Sequence, residues 1–152
     1  MSALPPADSM QARLADAARS GVFSAQPAAA ARAARVAEQA GLLLIGIDLK
    51  DTRDQASLLQ ALADTLGFPD TFGHNLDALG DSLGDLSWLP ESRGYLLHLS
   101  NCAKPVERCK DDFDALVGVL NDAADEWRGR GTPFWVLIDQ PHSRSRPFMA
   151  SA

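Results

Sequence analysis

The run Leu42-Leu-Leu-Ile-Gly-Ile-Asp-Leu49 limits the folds open to this chain more than any other segment. It is nearly continuous in apolar side chains and lacks the alternation of a sheet with one wet face. Such a run suits a strand covered on both faces, as in a parallel sheet. The longest apolar run without a charge, Ala40 to Ile47, overlaps it and is eight residues long. A membrane helix needs roughly 20, so no membrane role is expected. Tyr95–Ser100 and Phe134–Ile138 have the same strand character.

Between these runs the apolar period changes from two to that of a helix. Leu58, Leu59, Leu62 and Leu66 mark one helix with Asp54 as its cap, and Leu76, Leu79, Leu83 and Leu86 mark a second. Phe113, Leu116, Val117, Leu120, Ala124 and Trp127 mark a long amphipathic helix that ends in Arg128-Gly-Arg-Gly131. The order strand, helix, helix, strand, helix, strand predicts an α/β fold with a small three-stranded parallel sheet flanked by helices. His98, inside the second strand, reads as a satisfied core histidine.

Residues 1–40 differ in character, with 15 alanines in 40 positions. Ser9 can cap a helix over Met10–Ser20 that Gly21 ends, and Pro27 can open a helix that runs to Ala40 and stops at Gly41. Alanine favours helix but buries little area, so these helices must lean on something. The division expected is an N-terminal helical extension over 1–40, a domain over 41–140 and a loose tail over 141–152. A chain without residues 1–40 is expected to keep its site. Residues 1–20 show no continuous apolar segment of a secretory signal. Two cysteines, Cys102 and Cys109, are too few for a disulfide scaffold or a zinc site, so a reducing, cytoplasmic setting is expected.

The net charge of −6 is unevenly spread: residues 41–140 carry 17 acidic and eight basic side chains. That balance argues against direct nucleic-acid binding, which needs a basic patch. Between Arg53 and Arg93 there are seven acids and no lysine or arginine. Three of them, Asp77, Asp81 and Asp85, stand at i, i+4 and i+8 and stack on one helix face. Like charges so placed cost a helix a few tenths of a kcal/mol per pair, and folding does not ask for them. A solvated acidic face is one reading; a docking surface for a cationic partner is the other. His74, Asp77 and Asp81 could approach one metal ion, but no fourth ligand is evident, and neither a metal nor a cofactor is expected.

The segment Phe68-Pro-Asp-Thr-Phe-Gly-His-Asn-Leu-Asp-Ala-Leu-Gly-Asp-Ser-Leu83 closely resembles the central motif of the barstar family, intracellular protein inhibitors of secreted ribonucleases. The pattern Gly73-x-Asn75-Leu76-Asp77-Ala78-Leu79-x-Asp81-x-Leu83 is matched throughout, and the wider resemblance runs from about Leu42 to Gln140. It implies an immunity-type bacterial inhibitor, not an enzyme, whose acidic helix plugs the basic cleft of a microbial ribonuclease. Asp77 and Asp81 match the family's enzyme-facing aspartates, with Asp81 standing where a substrate phosphate would lie. Asp122 is the best match to a third acid on a later helix. Thr71, Phe72, His74, Asn75 and Gly80 complete the partner-binding set expected from the motif. Thr71 stands where the family has an aromatic residue and Gly80 where it has tryptophan, which implies a cognate enzyme or toxin other than the family's best-known one. The alternative is a module of the same fold that binds a basic partner other than a ribonuclease. The sequence leaves the oligomeric state open.

Overall fold

Strand β4 (Phe134–Ile138) is the apolar centre of the molecule, with every one of its five residues buried. A strand so apolar must be covered on both faces, and the chain supplies a helical layer for each. The structure, a computed structural model, describes residues 9–69 and 72–148. In chain order its elements are α1 (Met10–Leu14), a 3-10 turn (Ala17–Arg19), β1 (Val22–Ser24), α2 (Pro27–Gln39), β2 (Leu42–Asp48), α3 (Gln55–Leu66), α4 (Leu76–Asp85), β3 (Gly94–Ser100), α5 (Ala103–Arg108), α6 (Lys110–Gly129), β4 and β5 (Arg146–Pro147). No helix among the described residues is long and apolar enough to cross a membrane.

The sheet has the order β2-β3-β4-β1-β5, and all of its pairings are parallel. From β2 through β3 to β4 the chain steps in one direction, with its crossover helices on one face. From β1 to β2 it travels the opposite way. A right-handed crossover then requires the connecting helix to lie on the other face, and α2 does. One core gathers Ile47, Leu97, Leu99, Phe134 and Val136 under α3, α4 and α6. The second gathers Leu42, Leu96, Trp135 and Leu137 under α1 and α2. Helix α2 meets the sheet through Ala30, Ala33 and Ala37, at most 1% exposed. Their small size lets the helix lie close and substitutes proximity for side-chain bulk.

The sheet corrects the expectation of three strands to five. The two missed strands have three and two residues, too short to show a period. Val22–Ser24 pairs with Val136–Ile138 on one side and with Arg146–Pro147 on the other. Residues 9–40 therefore form part of the sheet and, with Phe148, cover one face, and the buried Trp135 indole donates its N–H to the Leu14 carbonyl at 2.9 Å. The expectation that the site is independent of residues 1–40 loses its premise, because not all strands lie beyond them. Residues 141–148 are likewise held. His142 bonds Asp114 through Nε2 at 2.8 Å and accepts the Arg144 N–H on Nδ1, while Phe148 is 7% exposed. Helix Met10–Ser20 is shorter than expected, breaking at Ala15 into the 3-10 turn. Strand β2 is an edge strand and only partly covered, with Leu43, Leu44 and Ile45 half-buried and Gly46 exposed. The short α5 had no apolar period to announce it.

His98 is half-buried, and its Nε2 has no hydrogen-bond partner among the described residues, so it is not the satisfied core histidine expected. By strand alternation it shares the face of Leu96, opposite Gly46 and Leu137 in register. Burial holds its pKa below the ordinary 6.5, outweighing the nearby Asp139 charge.

Two outcomes follow from this packing. Removing residues 1–40 strips the cover from Leu96, Trp135 and Leu137, so that fragment is expected to lose its cooperative thermal transition and near-UV circular dichroism; a sharp transition retained by the fragment would contradict it. For His98 the unfolded chain gains a proton near pH 6.5 before the folded chain does. Stability should therefore fall as pH drops from about 6.5 toward the lower folded value. Denaturant titrations at pH 7 and pH 5 should show a smaller loss in His98→Leu than in the unaltered chain.

Candidate partner-binding groove

Helix α4 starts where Asn75 caps it, its side-chain oxygen accepting the Ala78 N–H at 2.7 Å. Leu79 and Leu83, both 0% exposed, anchor one face in the core. The helix ends at Leu86, whose left-handed backbone (φ 53°) is a position usually given to glycine. Burial of the Leu86 side chain holds it there. With the apolar face fixed inward, Asp77, Asp81 and Asp85 are all exposed.

Helix α6 packs alongside and is tied to α4 at two points. The Trp127 indole donates to the Leu83 carbonyl at 2.7 Å, satisfying one of the carbonyls that a helix end leaves free. Arg130 donates through Nη1 to the Gly84 carbonyl and through Nη2 to Glu126, both at 2.6 Å. The Arg130 guanidinium also lies over the Trp127 ring, 4.4 Å from its centroid. Glycine at 84 permits this approach, since a Cβ there would stand 3.0 Å from Glu126 Oε2.

Between the two helices runs an open groove of about 370 Å³, lined by Asp77, Gly80 and Asp81 of α4 and by Val119, Asp122 and Glu126 of α6, among others. Asp122 thus reaches the same groove as Asp77 and Asp81. No lysine or arginine is among the lining residues. Gly80 is what opens it: the nearest neighbour of a Cβ there would be Val119 Cγ1, at 3.9 Å. Asp85 does not line the groove. It lies near Tyr95, where burial and, secondarily, the Asp85 charge raise the phenol pKa. Glu126 and Val119 were missed from sequence. Glu126 follows Asp122 at i+4, the same spacing that singled out the α4 acids.

The loop before α4 rests on an aromatic cluster. Phe72 packs against Phe68 and His74, each with ring centroids 4.8 Å away, and Phe68 meets Trp88 edge-on at 5.8 Å. Phe72 is 8% exposed, which leaves little of its ring for a partner. His74 takes a left-handed backbone (φ 52°), and its ring nitrogens lie 3.1 Å from the Phe72 carbonyl and from Gln60 Oε1. It clips the loop to α3. Trp88, beyond the end of α4, donates to the Leu66 carbonyl of α3 at 2.9 Å. Thr71 lies outside the described residues. Cys102 is buried and its thiol pKa is pushed far up by that burial, while Cys109 is half-buried.

A family model described as Barstar (barnase inhibitor) matches residues 42–139. The chain belongs to the barstar family. The match covers most of the chain and contains both helices of the groove, so the acidic groove is a feature of its barstar-family region. The parallel sheet flanked by helices agrees with that membership. Strands β1 and β5 lie outside the matched residues. No curated protein matches the sequence.

Trp127→Phe is expected to lower unfolding free energy by roughly 1–2 kcal/mol, since the Leu83 carbonyl loses its donor while the ring packing remains. Chemical denaturation monitored by far-UV circular dichroism measures it, and an unchanged midpoint would show the bond to be neutral.

Proposed function

We propose that the chain is an immunity-type inhibitor that enters and blocks the basic active-site cleft of a microbial ribonuclease or related toxin in the cytoplasm. The observation that supports this reading best is the convergence of Asp77, Asp81 and Asp122, beside the Arg130-paired Glu126, on one groove that no lysine or arginine lines. A ribonuclease must hold a polyanion and so presents arginine, lysine and histidine. Carboxylates on two packed helices can take the places of phosphates and accept charge-assisted hydrogen bonds from those groups. Because Leu79, Leu83 and Trp127 fix the helices in the core, the acids are held in place before the partner arrives, and little ordering cost falls on binding.

In this reading Asp81 is central, Asp77 lies one turn before it and Asp122 faces them from α6. The gap at Gly80 admits an arginine or lysine stem down to Val119, where a large side chain would exclude it. Asn75 and His74 keep the helix start in place, and Phe72 supports them from inside. Blocking is by occupancy, so no residue of the chain is asked to perform chemistry and no metal or cofactor is needed.

The test is an RNA-cleavage assay against a panel of microbial guanyl-type ribonucleases. Inhibition is expected, and Asp81→Ala is expected to weaken it by roughly 2–5 kcal/mol, the general cost of truncating one partner of a desolvated charge pair. The association rate is expected to fall steeply between low and physiological salt, because screening removes the attraction of unpaired surface carboxylates. A salt-independent rate, or an Asp81→Ala variant that inhibits as well as the unaltered chain, would overturn the reading. Tight binding of a basic protein without any block of RNA cleavage would favour the other module function.

A further inference from the structure

The described residues hold a second cleft, and its charge is opposite to that of the molecule. It lies at the outer edge of the sheet, where β5 pairs with β1 only at Phe23 and Ser24 and leaves the start of β1 uncovered. Its volume is about 870 Å³, and its walls include Arg13, Arg19, Arg128, Arg144 and Arg146, with Asp125 the only carboxylate. Asp125 is already engaged by Arg128 Nη1 at 2.7 Å, while Arg128 Nη2 donates to the Ser20 carbonyl. Arg19, Arg144 and Arg146 make no ion pair among the described residues. Burial and, secondarily, the nearby Arg19 charge press the Arg13 pKa down.

The arginines are placed, not adrift. Asn121 of α6 donates through its side-chain amide to the Arg144 carbonyl at 3.0 Å. Arg144 Nη1 lies where a side chain on Gly118 would begin, 2.7 Å from an ideal Cβ position. A glycine in the middle of a 20-residue helix weakens it against alanine, and here it makes room for a guanidinium that makes no ion pair among the described residues. The Arg146 guanidinium is 5.8 Å from the centre of the Phe23 ring, and Arg13 is 4.5 Å from that of Phe148. Guanidiniums from four separate segments therefore line one concavity of a size suited to a small molecule.

We propose that this cleft is an anion-binding site for a small molecule carrying several phosphate groups. Planar guanidinium forks match phosphate oxygens in pairs, and Arg19, Arg144 and Arg146, with no ion pair among the described residues, call for more than one negative charge. A small ligand suits the site better than a nucleic acid. A polymer leaving the cleft would pass the acidic face of α6 at Asp122 and Glu126 and the rest of a chain of net charge −6. The site draws on residues 13–23 and 143–148, largely outside the family match, and does not rest on the inhibitor reading.

Calorimetric titration of the full chain with inorganic tripolyphosphate tests it, with inorganic phosphate and a short single-stranded RNA as comparisons. Saturable binding of tripolyphosphate, tighter than of phosphate, is expected. It should weaken about tenfold for each guanidinium contact removed in Arg19→Gln and in the triple variant Arg19→Gln/Arg144→Gln/Arg146→Gln. All three side chains belong to exposed residues, and Arg19→Gln leaves the strand and α6 contacts untouched should the triple variant fail to fold. Asp81→Ala should bind tripolyphosphate as the unaltered chain does, which keeps this result separate from inhibition. No binding by the unaltered chain, equal binding by Arg19→Gln and the triple variant, or tighter binding of RNA than of tripolyphosphate would each overturn the proposal. So would self-association abolished in the triple variant without any tripolyphosphate effect, since the arginines would then serve an acidic surface of a second copy.

Discussion

The need to cover β4 on both faces governs the architecture. A strand of five buried residues, including two large aromatic rings, tolerates no wet side. Right-handed crossovers place all helices on one face so long as the chain advances in one direction across the sheet. Only by starting at β1, beyond β4, and crossing back to β2 can the chain lay a helix on the other face. The alanine-rich α2 is that helix, and the Trp135 bond to the Leu14 carbonyl fastens α1 beside it. The acidic groove depends on the opposite layer, where α4 and α6 are pressed together by the same core.

Much of this was legible in the sequence because it rests on periodicity over many residues. The runs at 42–49, 95–100 and 134–138 marked β2, β3 and β4, and the leucine spacings marked α3 and α4. What escaped was short or non-local. Val22–Ser24 is three residues whose strand character comes from its neighbours Val136–Ile138 and Arg146–Pro147, not from its own pattern. The half-covered state of β2 was hidden for a related reason: composition reports apolarity, whereas edge position is set by the order of strands.

The groove shows the same division. Asp77 and Asp81 stood out because an uncompensated i, i+4 acid pair works against its own helix, a cost visible without coordinates. Asp122 was placed through a motif resemblance, and the packing of α6 on α4 puts it on the same groove. Glu126 was invisible as a wall residue since its position depends on Gly84 allowing close approach and on Arg130 holding it. Phe72 and His74 sit in the loop the motif marks, yet their side chains are spent on the aromatic cluster and the clip to α3. A sequence motif records that a position is constrained and does not say whether the constraint is contact or support.

Helix α6 forms a wall of both clefts. Asp122 and Glu126 face the acidic groove, while Asn121, Asp125 and Arg128 face the arginine-lined one. Adjacent residues of a helix are rotated by about 100°, so a single-residue insertion or deletion in the middle of α6 would rephase both walls together. A deletion before Asn121 would turn Asp122 and Glu126 toward the arginines and withdraw them from α4, and an insertion there would turn Asp125 from the arginine-lined cleft toward the acidic groove. Substitutions can adjust either cleft alone, but the length of α6 is shared property. Drift in this helix is therefore open to exchange of side chains and closed to change of register.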